Sequence, residues 1–199
     1  MKFYLKKAFF IFVYIVLTSF ISMAIALIEG QFALKVALLI ANLALFVYIV
    51  CGMAYQDGQR AYKTRISNDK AREHIIETGE DRKINRSEEY KPYKGFLIGF
   101  ISCVPLLIIL LVQFITIGND PAKVDTTNAV NYIYFCFSAF ANLDPSGIHQ
   151  AIIYSSPYWA LLSIPINMLS HGILFILGAK KIEKQHQTVR NIHHSIYGE

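Results

Sequence analysis

Apolar residues are concentrated in four long runs, at 8–28, 32–54, 95–117 and 157–178. Each run contains 21–23 residues, and about 20 apolar residues in a helix are enough to cross the hydrocarbon core of a bilayer. Polar residues separate the runs instead of alternating within them, which is typical of membrane-spanning helices. The pattern predicts an all-α integral membrane protein built as a bundle of four transmembrane helices.

The polar connections divide the chain into four parts. Residues 29–31 alone join the first two runs, so 1–54 is predicted to form a tight N-terminal transmembrane hairpin. Residues 55–94 are a polar connection, and 95–178 contains the second pair of spans. The last part, 179–199, is a basic polar tail.

The 55–94 connection is predicted to be a mostly helical, solvated loop. Ser67 or Asn68 is suited to cap a helix, and Gly79 is suited to end it. The loop then serves either as a connector whose basic residues touch anionic lipid headgroups or as a docking surface for a partner protein.

An unusually long segment, 118–156, joins the third and fourth runs. Its apolar middle, 129–142, has 14 residues and is too short to span a bilayer. It is predicted to be a short interfacial helix, with a re-entrant pore-lining segment and a small outer cap as alternatives. The aromatic residues assigned to this outer segment are Tyr132, Tyr134, Phe135, Phe137 and Phe140, with Trp159 at the outer interface of the fourth run.

The distribution of positive charge predicts the orientation. Of the 19 Lys and Arg, all but Lys35 and Lys123 lie at the N-terminus, in 55–94 or after the fourth run. Positive loops stay in the cytoplasm during insertion, so both termini and 55–94 are predicted to be cytoplasmic in a cell membrane. The first apolar run continues through Ile28, which is longer than the core of a usual cleaved signal peptide.

The composition limits the class of protein. Apolar residues make up 54% and charged residues 17% of the 199 residues, which excludes an ordinary soluble domain and a disordered chain. The net charge is +5, and positive-inside orientation explains most of it, so nucleic-acid binding is not expected. The predicted partners are the lipid bilayer and either further copies of this chain or another membrane protein.

Small residues recur at four-residue spacing in the first three runs. Such stripes let helix backbones approach closely where lipid supplies no hydrophobic drive for association. The stripes are expected to pack inside one bundle, with contacts between copies as the alternative. The residues are Ser22, Ala26 and Gly30 in the first run, Ala33, Ala37 and Ala41 in the second, and Gly95, Gly99 and Cys103 in the third.

Polar side chains within the runs are the main candidates for function. No Asp, Glu, Lys or Arg lies in the middle of a run, which argues against a charged ion relay. Asn167 and His171 are four residues apart and share a helix face. Such groups either form hydrogen bonds between helices or line a polar cavity. The candidates are Asn42, Ser102, Gln113, Asn167 and His171.

Two prolines fall within the spans. Pro105 lies near the middle of the third run and Pro165 lies in the fourth. Each lacks an N–H and is predicted to kink its helix.

No catalytic constellation is recognisable. The chain lacks a phosphate-binding glycine loop and a GxSxG elbow. Cys51, Cys103 and Cys136 have no CxxC spacing, and the histidines of the tail lack metal-ligand spacing. No catalytic residue, metal site or cofactor is therefore predicted.

Three functional hypotheses follow. The first is a non-catalytic component of a membrane complex, which binds a partner protein or lipid. The second is a small homo-oligomeric channel or transporter, whose polar path passes Asn42, Asn167 and His171. The third, a membrane-embedded enzyme, needs an acid–base pair at one depth, and the sequence offers none.

Overall fold

The computed structural model describes residues 2–28, 32–117, 133–139 and 157–197, and within these ranges the regular structure is entirely helical. The helices are α1 (Lys2–Ala26), α2 (Phe32–Thr78), α3 (Tyr93–Ser102), α4 (Val104–Ile117), the short α5 (Phe135–Ser138) and α6 (Ser163–Tyr197), with a 3₁₀ segment at Pro157–Leu162 before α6.

Four helical stretches of the described chain are long and apolar enough to cross a membrane. They cover Phe3–Ala26, Phe32–Thr78, Tyr93–Val112 and Ala160–Ser195. The prediction of an all-helical multi-pass membrane protein with four candidate spans is thereby confirmed at the level of helix length and composition.

Helix α2 continues well beyond the apolar run. Its 47 residues correspond to a length of about 70 Å, more than twice the thickness of a bilayer core. The expectation that a separate helix starts at Ser67 or Asn68 is wrong, because α2 passes through both positions without a break. Gly79 does end the helix: its φ is +72° and its N–H donates to the Ile75 carbonyl over 2.9 Å.

The two prolines have different effects. At Pro105 the third span is divided into α3 and α4, with Cys103 between them. The Cys103 N–H donates to the Phe100 carbonyl over 2.9 Å, which tightens the last turn of α3. Pro165 lies in the first turn of α6, where a helix tolerates the missing N–H, and the fourth run changes from 3₁₀ to α-helix between Leu162 and Ser163.

Helix α6 also extends past its apolar run and includes the tail up to Tyr197. It packs against α2 along much of its length and against α3, and α1 packs against the same two helices. Helices α1 and α6 therefore face one another across the bundle. The end of the bundle that carries Lys7, Asp57 and Lys94 is called the basic end below.

Close backbone contacts at glycines join α6 to its neighbours. A Cβ at Gly58 of α2 would collide with the Phe175 carbonyl oxygen, and one at Gly178 would collide with the Tyr55 carbonyl oxygen. Gly172 leaves room in the same way for the Phe96 ring of α3. Helix α6 thus fits between α2 and α3 only because these positions have no side chain.

The described part of the 118–156 segment lies inside the bundle. Tyr134, Phe135, Cys136 and Phe137 are buried, and the Phe137 ring packs edge-on against Phe46 of α2 at a centroid distance of 6.0 Å. They contact α1, α2 and the 3₁₀ segment, while the rest of the predicted interfacial segment 129–142 lies outside the described residues. Helix insertion into the bundle depends on tertiary contacts that a local sequence pattern does not encode.

Substitution of Gly58 tests this packing. We expect Gly58→Ala to lower the thermal unfolding midpoint in detergent, with a loss of about 1–3 kcal/mol, because its methyl group overlaps a backbone oxygen of α6. Gly52→Ala on the same helix is the matched control, since nothing lies within 4 Å of a Cβ at Gly52. Equal midpoints for the two variants would contradict the proposed contact.

Candidate functional site

Three buried polar residues form a line on one face of α6. Ser163, Asn167 and His171 are spaced by four residues, and each is 0% exposed. Their spacing places them about 6 Å apart along the helix axis. Together they form a polar stripe, which is directed into the bundle.

The stripe meets the break in the third span. The Asn167 Nδ2 amide lies 3.5 Å from the Cys103 sulfur, and the Ser163 hydroxyl lies 3.9 Å from the same atom. Ser102 is buried beside Cys103 and donates to the Gly99 carbonyl over 2.6 Å. Of the predicted polar candidates, Ser102 and Asn167 therefore lie close together, with His171 one helical turn away.

Asn42 belongs to a different contact. Its Nδ2 donates to the Thr18 carbonyl and to the Ser22 hydroxyl, both over 2.9 Å. These bonds join α2 to α1 across the N-terminal hairpin. Asn42 thus acts as an interhelical hydrogen-bonding residue. The side chain of Gln113 is outside the described residues.

Several buried polar atoms of the stripe have no hydrogen-bond partner among the residues that the structure describes. They include both ring nitrogens of His171 and the Oδ1 of Asn167. Asp57 Oδ2 is also buried without a partner in the same part of the chain. Because more than nine-tenths of buried polar groups in proteins are hydrogen-bonded, this concentration in one bundle marks the region as a candidate site.

The structure adds an ion pair that the sequence did not predict. The Lys7 ammonium lies 2.6 Å from Asp57 Oδ1, and the Asp57 side chain is only 5% exposed. Both residues were assigned to polar regions outside the spans. The sequence does place opposite charges at the same end of the two helices of the N-terminal hairpin. This placement is compatible with an ion pair but does not specify which acid pairs with which lysine.

A cavity of about 450 Å³ lies next to this ion pair at the basic end. We call it the vestibule, and its lining includes Lys7 and Asp57 as well as Lys6, Arg60, Thr64 and Glu88. The ion pair therefore lies between the vestibule and the interior of the bundle.

A segment that we call the strap, residues 80–92, is fixed against α2. Lys94, itself buried, donates to the carbonyls of Ser87 and Glu89 over 2.8 and 2.7 Å. The Asn68 amide donates to the Asn85 carbonyl over 3.1 Å, and its oxygen accepts from the Asn85 N–H over 3.0 Å. The buried position of Asn68 in mid-helix is explained by this contact with the strap.

Glu89 links the strap to α2 by charge. The Arg72 guanidinium donates to both Glu89 oxygens, over 3.0 and 2.9 Å. These hydrogen bonds hold the pKa of Glu89 below its usual value, with a smaller contribution from the Asn68 amide.

The lowered pKa predicts a pH dependence for the strap. A carboxylate whose folded-state pKa is depressed stabilises the fold above its ordinary pKa, and this contribution is lost as the pH falls through the folded value. We expect amide hydrogen exchange in the strap, corrected for intrinsic rates, to speed up below about pH 4. Glu89→Gln should speed exchange at pH 7 also, whereas the exposed Glu88→Gln should not. Equal exchange in both variants would contradict the assignment.

A second groove, of about 600 Å³, separates the extended ends of α2 and α6. We call it the helix-pair groove. It carries apolar and aromatic side chains with charges of both signs: Tyr62, Arg65, Ile66, Asp69, Lys70, Glu73, His186, Val189, Arg190, His193 and His194. In the described ranges, no three His, Cys, Asp or Glu side chains are grouped so that they would hold a metal ion.

The small-residue stripes occupy two environments. Gly95, Gly99 and Cys103 are buried, the first two against α6. In α1, Ser22 is buried and Ala26 is half-buried, while Gly30 lies outside the described residues. The stripe of α2 lies on an exposed surface and consists of Ala33, Ala37 and Ala41.

The predicted aromatic segment is described in part. Tyr134, Phe135 and Phe137 lie inside the bundle, and Trp159 belongs to the 3₁₀ segment before α6. Tyr132 and Phe140 lie outside the described residues.

Comparison with known proteins gives no relative. No protein-family model matches the chain, and neither the curated proteins nor the solved structures include a significant match.

Proposed function

We propose that this chain is a non-catalytic component of a membrane complex and binds a partner protein through the helix-pair groove. The observation that carries the proposal is that α2 and α6 both continue beyond the apolar runs and there line one groove between them. Residues 55–78 alone extend α2 by about 36 Å. We assign the basic end and both termini to the cytoplasm of a cell, because positive charge is retained there.

The chemistry of the groove favours a polypeptide over a lipid surface. Arg65 and Lys70 alternate along α2 with Asp69 and Glu73, so the lining has charges of both signs. A membrane surface of anionic headgroups attracts a uniformly basic patch, whereas a mixed lining is complementary to a protein segment that carries both acidic and basic side chains.

Uncovered apolar side chains lie on the same pair of helices. Ile76 of α2 is 83% exposed, and Val189 of α6 is 66% exposed. Both positions lie beyond the apolar runs, so lipid tails do not cover them. Exposed apolar residues beside a polar rim are typical of surfaces that bind another protein.

A single charge introduced into the helix-pair groove tests whether the groove binds the partner. We expect Val189→Glu to abolish recovery of the partner when the tagged protein is purified from native membranes in mild detergent. Thr188→Glu, which adds the same charge at an exposed neighbour outside the groove lining, is the matched control and should retain the partner.

Native mass determination of the same preparations identifies what is bound. A wild-type species that contains a second polypeptide, lost only in Val189→Glu, supports the proposal. A species that contains only copies of this chain, or this chain with lipid, contradicts it.

A second candidate function, a small homo-oligomeric channel or transporter, is favoured by the unpartnered atoms of Asn167 and His171. The burial of Tyr134–Phe137 and Ala139 supports a re-entrant element in the same region. Four spans enclose little space alone, and the exposed stripe of Ala33, Ala37 and Ala41 offers a surface at which copies would pack closely.

Transport is tested in liposomes that contain the purified protein. We expect solute flux above that of empty liposomes, and we expect Asn167→Leu to abolish it because that change removes the amide from the polar stripe. Asn42→Leu removes an amide that joins α1 to α2, so a properly inserted variant should retain flux. Flux unchanged in Asn167→Leu would exclude this residue from the path.

A further inference from the structure

Buried polar groups extend from the vestibule deep into the bundle. The Lys7–Asp57 pair is at the basic end, and Gly58, the residue after Asp57, packs against Phe175, which is one helical turn from His171 on α6. Asn167 is one helical turn further, and its amide reaches Cys103. From His171 to Ser163 the stripe covers about 12 Å along α6. We call this series of groups the polar column.

The column has more hydrogen-bonding capacity than the described residues satisfy. A neutral imidazole offers one donor and one acceptor, yet neither ring nitrogen of His171 has a partner within the described ranges. The free Oδ1 of Asn167 adds an acceptor one turn away. Buried water molecules typically make about three hydrogen bonds to groups of this kind, and polar sites lined in this way hold water rather than remaining empty.

The charge of the polar column limits which solutes it can bind. Lys7 and Asp57 neutralise each other at 2.6 Å, and the groups deeper in the column are an imidazole, an amide and a hydroxyl. An ion that passes the pair meets no counter-charge, and burial of an unpaired ion is costly. The column therefore suits water and small uncharged hydrogen-bonding solutes.

One end of the column is open and the other is covered. Lys7 and Asp57 line the vestibule at the basic end. Toward the opposite end, Tyr134 is fully buried, and the Phe137 ring packs edge-on against Phe46 of α2. Residues 133–139 thus lie across the bundle where the column ends.

We propose that His171, Asn167 and Asp57 line an internal water-filled site, which exchanges with the aqueous phase at the basic end through the Lys7–Asp57 pair. The site accepts water and small uncharged solutes of similar hydrogen-bonding character, and 133–139 closes it on the other side. This inference deepens the second candidate function and rests on it for any passage of solute, although the hydrated site itself stands without transport.

Magnetic resonance of the full chain in lipid bilayers tests the site. The protein is labelled with ¹⁵N in its histidine rings, and His171→Gln identifies the His171 signals. We expect magnetisation to transfer from water protons to the His171 ring N–H, as it does to the exposed His186 in α6. A His171 ring that receives none while His186 does would overturn the proposal.

Two variants locate the water. Asn167→Leu removes a partner of the proposed water and should abolish transfer to His171, whereas Asn42→Leu removes an amide whose bonds are all internal to the α1–α2 hairpin and should leave transfer unchanged. If Asn167→Leu does not fold, wild-type transfer alone decides the question. Equal loss in both folded variants would overturn the assignment of the water to the column.

Permeability measurements distinguish a hydrated internal site from a transport pathway. The wild-type liposomes are assayed in parallel for osmotic water permeability and for urea entry. Water transfer to His171 with permeabilities equal to those of empty liposomes supports the internal site and overturns the transport function. Absence of transfer overturns the site, whatever the flux.

Discussion

The fold depends on the close approach of α6 to α2 and α3. At Gly58 and Gly178 the backbone of one helix contacts a backbone oxygen of the other, without an intervening side chain. Lipid provides no hydrophobic drive for this association, so dispersion contacts between closely spaced backbones must hold the helices together. The same contacts bring Ser163, Asn167 and His171 into the interior, because a helix fixed on two sides has a fixed rotation.

This packing explains why polar residues are tolerated at depth. Asn42 donates to the Thr18 carbonyl across the α1–α2 contact, and Ser102 donates to the Gly99 carbonyl within its own helix α3, so both side chains are satisfied by structural hydrogen bonds. The Asn167 amide reaches the Cys103 sulfur, but its Oδ1 and both ring nitrogens of His171 have no hydrogen-bond partner among the described residues. Within one bundle, buried polar atoms without a hydrogen-bond partner therefore indicate a candidate binding site, whereas buried polar atoms that are hydrogen-bonded have a structural role.

The sequence predicts the spans well and their extensions poorly. Four apolar runs are sufficient to identify four helices that are long and apolar enough to span a bilayer, because bilayer thickness sets a minimum length that chance seldom meets. Residues 55–78 are polar and carry a local capping signal at Asn68. In the structure the Asn68 side chain bonds to Asn85 of the strap, and α2 continues through this position. The Lys7–Asp57 ion pair and the lack of a described hydrogen-bond partner for His171 both depend on which helices pack together. The spacing of residues along the chain does not specify that packing.

The unbroken course of α2 has a mechanical consequence. A straight helix transmits rotation as a rigid rod, and α2 joins the spanning region to the helix-pair groove without a hinge. A tilt of about 10° in the bilayer would displace the far end of the 36 Å extension by roughly 6 Å. Because α6 and the strap are attached to α2 at several points, a change in bilayer thickness or in helix tilt would produce a larger movement at the helix-pair groove.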